Sequence, residues 1–293
     1  MVALAAVLLA ADLPSETATS PDGQEPSTPI LAPFGRSAGS AAGVLRAQRW
    51  VIPLGRRSIK VPILMYHYIR TPPSRLGDPI GYNLSISPAT FQIEMEWLWD
   101  HGYHPVDFND LRAYFDGRRP LPSRPVVITL DDGYADLYTT AYPILREFSF
   151  KAVAYIVSGF VGRPLYVSAP EVKAMDQNGI EIASHTVDHA DLATASPTWT
   201  MYQLTESKTW LQNLIGHPVI DFAYPSGRFN ARVVEEVRDA GYDTAVTEVP
   251  GISHNLGDRY TWTRVRVAGG ESLATFVTNL GPVEAMVKVP GVA

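Results

Sequence analysis

Short apolar runs alternate with amphipathic stretches from about residue 59 onward. The clearest run is Pro125–Leu130 (PVVITL), which is continuous and bounded by charged and turn residues. Such a run is typical of a strand buried on both faces. Similar runs predict strands at residues 61–66, 152–157, 180–183, 219–223, 244–247 and 261–267.

The stretches between these runs have helical character. Ser87 and Pro88 form a helix start, with the serine as N-cap and the proline in the first turn. Because strands and helices alternate, we expect parallel strands joined by right-handed crossovers. About seven such units predict an α/β fold, a distorted (β/α) barrel of about seven parallel strands, with its active site where the strands end. The other predicted helices cover residues 107–115, 135–147, 198–215, 231–240 and 271–280.

The beginning of the chain has a different composition. Residues 1–11 (MVALAAVLLAA) are apolar but too few to span a bilayer, which takes about 20 residues. They fit the apolar part of a secretory signal, and a disordered apolar tail is the alternative. Residues 12–55 are rich in Pro, Ser, Thr, Ala and Gly, which indicates a flexible linker. We therefore predict a signal-like segment and disordered linker over residues 1–57 and one folded domain over residues 58–293. The protein is expected outside the cytoplasm, either secreted or tethered to the membrane or envelope.

Composition narrows the chemistry that this domain can perform. The 293 residues include no cysteine, which excludes disulfides, thiolate metal ligands and a cysteine nucleophile. The formal net charge is −6 and no basic run is present, so nucleic acid is not the expected partner. Any bound metal must therefore be held by His, Asp or Glu.

Three segments that follow predicted strands contain side chains suited to catalysis or metal binding. The first is residues 129–133 (TLDDG), directly after the clearest strand. Successive side chains that leave a strand point in different directions, so Asp131 and Asp132 cannot share one role. One carboxylate can bind a cation while the other stays free as a base with a low pKa. A simple turn is the alternative for this segment.

The second segment contains two of the seven histidines. His185 and His189 lie four residues apart, which would place both imidazoles on one face of a helical turn. This spacing is common for two ligands of one divalent ion, although an incidental pair is the alternative. Two histidines and one aspartate, with open positions, would form a catalytic rather than a structural zinc site.

The third segment is residues 222–227 (FAYPSG). A proline followed by a small residue and glycine after a strand can direct a backbone N–H into a site. An ordinary tight turn is the alternative when this segment is taken alone.

Taken together, the three segments resemble the NodB-homology polysaccharide deacetylases, over residues 61–280. The order is a TFDDG-like segment, then HT-x-x-H about fifty residues later, then a Pro-x-Gly loop. Residues 65–69 (MYHYI) and the phrase FAYP-x-G are similar to an exported branch of that family with a MYHxI start. The resemblance implies that residues 58–293 form a deacetylase catalytic domain.

The resemblance also implies roles for individual residues. Asp132, His185 and His189 would hold a divalent metal, usually zinc, with Co, Ni or Mn as alternatives. Asp131 would act as the general base toward the attacking water. The backbone N–H of Ser226 would stabilise the oxyanion of the tetrahedral intermediate, and the same loop would bring Tyr224 to the substrate.

The chain departs from the family pattern at several places. Ala223 and Ser226 stand where many members carry a base-orienting arginine and a tyrosine, and Arg264 is the candidate replacement for the arginine. An exposed strand charge is the alternative reading of Arg264. The usual late histidine motif is not evident, so His67 is the expected general acid and His254 is its rival.

The expected function is metal-dependent removal of N-acetyl groups from an N-acetylglucosamine-containing polysaccharide, such as peptidoglycan, poly-N-acetylglucosamine or a chitin-like polymer. A non-catalytic carbohydrate-binding protein of the same fold is the main alternative. A glycosidase fits less well, because its two carboxylates must lie about 5–9.5 Å apart across the sugar. Tyrosines that could stack on sugar rings, with a core position as the alternative, are Tyr66, Tyr68, Tyr82, Tyr134, Tyr166 and Tyr224.

Overall fold

The computed structural model describes residues 58–282, so the predictions for residues 1–57 lie outside the described part of the chain. Twelve strands occur in this part. In chain order they are β1 Ser58–Lys60, β2 Ile63–Tyr66, β3 Tyr68–Ile69, β4 Ser85–Ile86, β5 His104–Pro105, β6 Pro125–Leu130, β7 Ala152–Ile156, β8 Ile180–Ser184, β9 Asp221–Ala223, β10 Thr244–Pro250, β11 Ser253–Asn255 and β12 Trp262–Arg266.

Seven of these strands close into a parallel barrel. Their order is β2-β12-β10-β9-β8-β7-β6, and β6 pairs again with β2. The short strand β5 pairs with the first two residues of β6, and two small two-stranded sheets, β1-β11 and β3-β4, lie outside the barrel. The predicted distorted (β/α) barrel of about seven parallel strands is therefore confirmed.

Most helices follow barrel strands and begin at clear caps. Ser87 accepts a hydrogen bond from the Thr90 N–H, as its predicted N-cap position requires, and Asp107 caps its helix in the same way through the Asp110 N–H. A π-helical turn, Leu137–Ala141, precedes one helix. The α-helices are α1 Pro79–Leu84, α2 Pro88–Asp100, α3 Phe108–Phe115, α4 Tyr142–Glu147, α5 Ala169–Asp176, α6 Pro197–Ile215, α7 Ala231–Asp239 and α8 Leu273–Asn279.

The alternation of side chains along the strands separates two cores. Val126, Ile128 and Leu130 of β6 face outward and pack in the larger core with the helices. Val127 of the same strand faces inward, in a second core that also holds the apolar face of α3. Because the side-chain period of a strand is two, the positions after β6 keep this register and direct Asp131 into the barrel.

Helix α1 and the small strands around it are absent from the sequence prediction. They are too short to show a periodic pattern, and the segment instead depends on tertiary contacts. The Gly269 N–H donates to the Asn83 carbonyl, and a Cβ at Gly269 would lie only 1.8 Å from the Tyr82 carbonyl oxygen. This close approach requires glycine and holds α1 against the turn that follows β12. Within residues 58–282, no helix is both long and apolar enough to cross a bilayer.

Glu94 is a buried carboxyl group in the larger core, 1% exposed, that accepts a hydrogen bond from the Tyr66 hydroxyl. Burial raises the pKa of Glu94 from 4.5 to about 8, although the Tyr66 hydrogen bond acts to lower it. The folded state therefore binds a proton more tightly than the unfolded chain does. This difference costs nothing below pH 4.5, and it destabilises the fold progressively as the pH rises from 4.5 to about 8.

We expect Glu94→Gln to stabilise the protein near pH 7.5 by up to about 4 kcal/mol, at about 1.4 kcal/mol per pKa unit. The glutamine keeps the volume and an acceptor for the Tyr66 hydroxyl but carries no titrating proton. Urea unfolding of both proteins at pH 5 and pH 7.5 checks this expectation, and the gain should shrink at the lower pH. An equal gain at both pH values, or a loss of stability at pH 7.5, would contradict it.

Candidate active site

The centre of the site is a buried ion pair inside the barrel. Both carboxylate oxygens of Asp131 accept hydrogen bonds of 2.8 Å from the Arg264 guanidinium. The arginine is 1% exposed, and it is held further by the Thr247 carbonyl and the Thr129 hydroxyl. Burial acts to raise the pKa of Asp131, but the Arg264 charge and hydrogen bonds bring it below its ordinary value. Asp131 is therefore a fixed, ionised carboxylate.

Backbone geometry makes the two adjacent aspartates diverge. The Asp131 N–H donates to the Tyr66 carbonyl and so continues the β2–β6 pairing. Asp132 then adopts a φ of 73° and Gly133 a φ of 75°, which turns the chain out of the strand. Aspartate is among the few residues that tolerate this left-handed region. Asp131 thus points into the barrel while Asp132 reaches the pocket above it.

Asp132 meets both histidines of the second segment. Its Oδ1 lies 3.4 Å from the Nε2 of His185 and 3.3 Å from the Nε2 of His189. One ligand atom from each of the three residues can be chosen so that all lie within 4.8 Å of one another, the only such group of three among residues 58–282. Burial acts to raise the pKa of Asp132, but the neighbouring His185 holds it well below its ordinary value.

The histidines converge without the helical turn that their spacing predicted, so that prediction is corrected. Residues 185–189 form a turn in which Thr186 and His189 have φ values of 69° and 60°. Gln203 of α6 fixes this turn, because its side-chain oxygen accepts the Val187 and Asp188 N–H groups. The approach of His189 to His185 thus depends on a tertiary contact from Gln203 and not on the local sequence alone.

The three side chains fit a divalent metal ion. The His185 Nδ1 lies 2.8 Å from the Ala223 carbonyl, which can only accept, so this nitrogen carries the proton and Nε2 is free to bind. The buried Asp132 Oδ1 has no hydrogen-bond partner, as expected for an oxygen that binds a cation. Two imidazole nitrogens and one carboxylate oxygen are donors that first-row divalent ions accept, and three protein ligands are the number typical of catalytic metal sites.

These residues open into a pocket of about 360 Å³ at the carboxyl ends of the strands. His67 follows β2 and lines this pocket, and burial lowers the pKa of its imidazole although Asp131 and Asp132 act to raise it. Helix α1 contributes a wall that the sequence did not predict, made of Ile80, Asn83 and Leu84. Glu248 and Arg266 also line the pocket and were not singled out from the sequence, although both lie at the ends of predicted strands.

Three of the tyrosines predicted to stack on sugar rings form an aromatic wall beside Asp132. The rings of Tyr68 and Tyr134 stack with centroids 3.5 Å apart, and Tyr166 lies 5.3 Å from Tyr134. Arg70 covers the outer face of Tyr68 at 3.5 Å. Tyr66, in contrast, is a fully buried core residue that donates its hydroxyl proton inside the fold.

The third segment contributes only part of what was predicted. Ser226 lines the pocket in a left-handed conformation with φ 52°, and the N–H groups of Gly227 and Arg228 are both used inside the turn. The prediction that Tyr224 reaches the substrate is wrong. Its ring is fully buried, its hydroxyl donates to the Tyr260 carbonyl, and its N–H donates to the Val246 carbonyl, so it presents no group to the pocket.

His254 is placed away from this pocket. It lies on β11, is fully buried, and its Nε2 is 2.9 Å from the carbonyl of Val61, just before β2. Val61 is at the amino end of the barrel strands, opposite the end where Asp131 lies. The structure therefore brings His67, but not His254, to the other candidate residues.

Comparison with known proteins gives the site its context. A family model described as polysaccharide deacetylase matches residues 118–245. The chain is 31% identical over 217 residues to YxkH of Bacillus subtilis, a predicted polysaccharide deacetylase, and the match covers 74% of this chain and 75% of that protein. The solved structure of Streptococcus pyogenes deacetylase PplD in complex with acetate is 29% identical, with a TM-score of 0.70 over 77% of this chain and 100% of that chain.

A more distant relative is the poly-beta-1,6-N-acetyl-D-glucosamine N-deacetylase of Escherichia coli K12. It is 26% identical over 240 residues, and the match covers 67% of this chain but 36% of that protein. The family model, the YxkH similarity and the barrel shared with solved deacetylases all agree. The chain therefore belongs to the polysaccharide deacetylase family and is an N-deacetylase hydrolase.

Proposed function

We propose that this protein is a metal-dependent hydrolase that removes N-acetyl groups from an N-acetylglucosamine-containing polysaccharide. One observation carries the proposal. A buried, ionised carboxylate, Asp131, directly precedes Asp132 and its charge acts on His185, so it lies beside the separate cluster of three metal-ligand side chains that open into the pocket. We therefore propose the base function for Asp131 and the ligand function for the other three residues.

Asp132, His185 and His189 would hold the metal ion, for which we propose zinc, with Co, Ni or Mn as alternatives. A divalent ion in this position supplies Lewis acidity, which makes water more acidic and an acetamide carbonyl more electrophilic. The hydrogen bond from His185 to the Ala223 carbonyl would hold its imidazole in the binding tautomer throughout.

Asp131 would accept a proton from the attacking water, since the two hydrogen bonds from Arg264 use only two of about four carboxylate lone-pair sites. Its low pKa keeps it ionised, and the two hydrogen bonds from Arg264 fix the direction of its lone pairs. Arg264 therefore takes the base-orienting position that Ala223 cannot fill. A general base must be held within hydrogen-bond reach of the proton that it accepts, and the Arg264 hydrogen bonds would hold Asp131 in this way.

Attack on the acetamide carbon generates an oxyanion and then a leaving amine that requires a proton. The Ser226 N–H would donate to the oxyanion, since its neighbours Gly227 and Arg228 use their own N–H groups within the turn. His67 would deliver the proton to the amine nitrogen, because it lines the pocket from the end of β2 and the charges of Asp131 and Asp132 favour its protonated form against the effect of burial on its pKa.

We expect His67→Ala to lower the rate of acetate release from a glycan amide by about a hundredfold or more. An aryl acetate has a leaving group that needs no protonation, so the variant should lose much less activity toward that substrate. Steady-state rates of both substrates check the expectation. Equal losses toward the amide and the ester would contradict an acid role for His67.

The substrate class follows from the shape of the pocket and from the relatives. Tyr134 lines the pocket and would contact the C–H surface of a sugar ring, while the stacked Tyr68 ring supports it from behind. The Escherichia coli relative bears the name of a poly-beta-1,6-N-acetyl-D-glucosamine deacetylase, so this polymer is the first to test, followed by peptidoglycan and chitin oligomers. Such polymers lie outside the cytoplasm, where we expect the protein to act.

Acetate release from these three polymers tests the proposal. Enzyme-dependent acetate from at least one of them, with an equal yield of free amine, would support it. A purified protein that binds the polymers but releases no acetate from any of them would favour the carbohydrate-binding alternative.

A further inference from the structure

A second ion pair lies at the mouth of the pocket, above the Asp131–Arg264 pair. Arg266 follows Arg264 by two residues on β12, so both side chains lie on the same, inward face of the strand. The Arg266 guanidinium donates to a carboxylate oxygen of Glu248 on the neighbouring strand β10, and both residues line the pocket. Their side chains are 37% and 27% exposed.

The surrounding backbone holds the Arg266–Glu248 pair, called the mouth pair below, in place. A Cβ at Gly227 would lie 2.7 Å from the Cβ of Glu248, so the stem of the glutamate packs directly on the turn that carries Ser226. Asn83 of α1 lines the same pocket. The carboxylate and the guanidinium are therefore presented toward the pocket from rigid elements and not from a loop.

The mouth pair has unused hydrogen-bond donors and acceptors and little net charge. The bond between the two side chains uses one of the five guanidinium donors and one of about four carboxylate lone-pair sites. Such a pair does not attract an ion of either sign, but it offers donors and acceptors side by side. Adjacent hydroxyl groups of a pyranose need this combination, because each hydroxyl both donates and accepts.

We propose that Arg266 and Glu248 recognise the hydroxyl groups of the sugar ring whose acetamide is cleaved. The mouth pair thereby determines specificity for a sugar amide over other acetylated compounds. This inference rests on the proposed function, since it names the substrate contacts of that same site.

Two other roles fit the pair less well. A partly exposed ion pair contributes little to stability, so stability alone gives no reason to place one at the mouth of a pocket. A general acid must hold a proton to donate, whereas the Glu248 carboxylate is an acceptor for a permanently charged guanidinium.

The test compares two substrates of the full-length enzyme. One is an N-acetylglucosamine oligomer, and the other is an aryl acetate that lacks sugar hydroxyls. We expect Arg266→Gln and Glu248→Gln each to lower the ratio of kcat/KM for the oligomer to kcat/KM for the aryl acetate by about ten- to a hundredfold. The double variant should lower this ratio no further than the more affected single variant, because the two residues act as one unit.

Arg118→Gln is the matched control. It also removes one arginine from an ion pair, with Asp116, but that pair is exposed in the turn after α3 and should leave the ratio unchanged. If both activities of the mouth-pair variants fall in proportion, the pair shapes the site in general and the inference is wrong. If the wild-type enzyme cleaves the aryl acetate but releases no acetate from any glycan, the proposed function fails and the inference fails with it.

Discussion

Asp131→Asn should reduce acetate release by about a thousandfold while the protein still binds its metal ion. The amide cannot accept a proton from water, but it has nearly the same shape as the carboxylate and is not among the three metal-ligand side chains. Acetate release and metal content, measured on the same preparation, check both parts of this expectation.

The matched control for this variant is Asp116→Asn, which removes a carboxylate from an exposed ion pair far from the pocket. It should retain wild-type activity. Loss of metal together with activity in Asp131→Asn would place Asp131 among the ligands and not in the role of base. Retention of more than a tenth of the wild-type rate would remove the need for a base at this position.

Arg264→Met should lower the free energy of unfolding by about 3–5 kcal/mol. The substitution leaves the Asp131 carboxylate buried, 2% exposed, without the guanidinium that lowers its pKa. The cost arises from an uncompensated buried charge and not from lost packing, since methionine retains much of the arginine stem. Urea unfolding at pH 7.5 measures this difference.

A double variant separates these two causes. Adding Asp131→Asn to Arg264→Met removes the stranded charge, so the double variant should be more stable than Arg264→Met alone. A double variant that is as unstable as the sum of the two single variants would show that the aspartate charge is not the source of the loss. Activity should be low in both cases, because neither protein has an oriented base.

Much of the fold and of the buried part of the site could be predicted from the sequence. Pro125–Leu130 matches the observed strand β6, because a run that is buried on both faces has no charged interruption. Continuing its period of two places Asp131 inside the barrel, and the same rule places Arg264 and Arg266 on one face of β12. Local rules were sufficient wherever a regular strand carries the residue.

Prediction from the sequence failed where tertiary contacts override the local pattern. The four-residue spacing of His185 and His189 suggested a helical turn, but Gln203 on a distant helix stabilises a turn with left-handed residues instead. Tyr224 was expected in the pocket because of its position in the motif, yet its ring fills the core. Helix α1 carries no periodic signal at all, so Asn83 could not be assigned to the pocket in advance.

The measurement that tests the central claim most directly is acetate release from an N-acetylglucosamine polymer before and after removal of bound metal. We predict that the purified protein contains about one divalent ion per chain, that a chelator abolishes acetate release, and that added Zn²⁺ restores it. Undiminished acetate release from protein that is shown to contain no metal would contradict the account, because Asp132, His185 and His189 would then have no role as ligands.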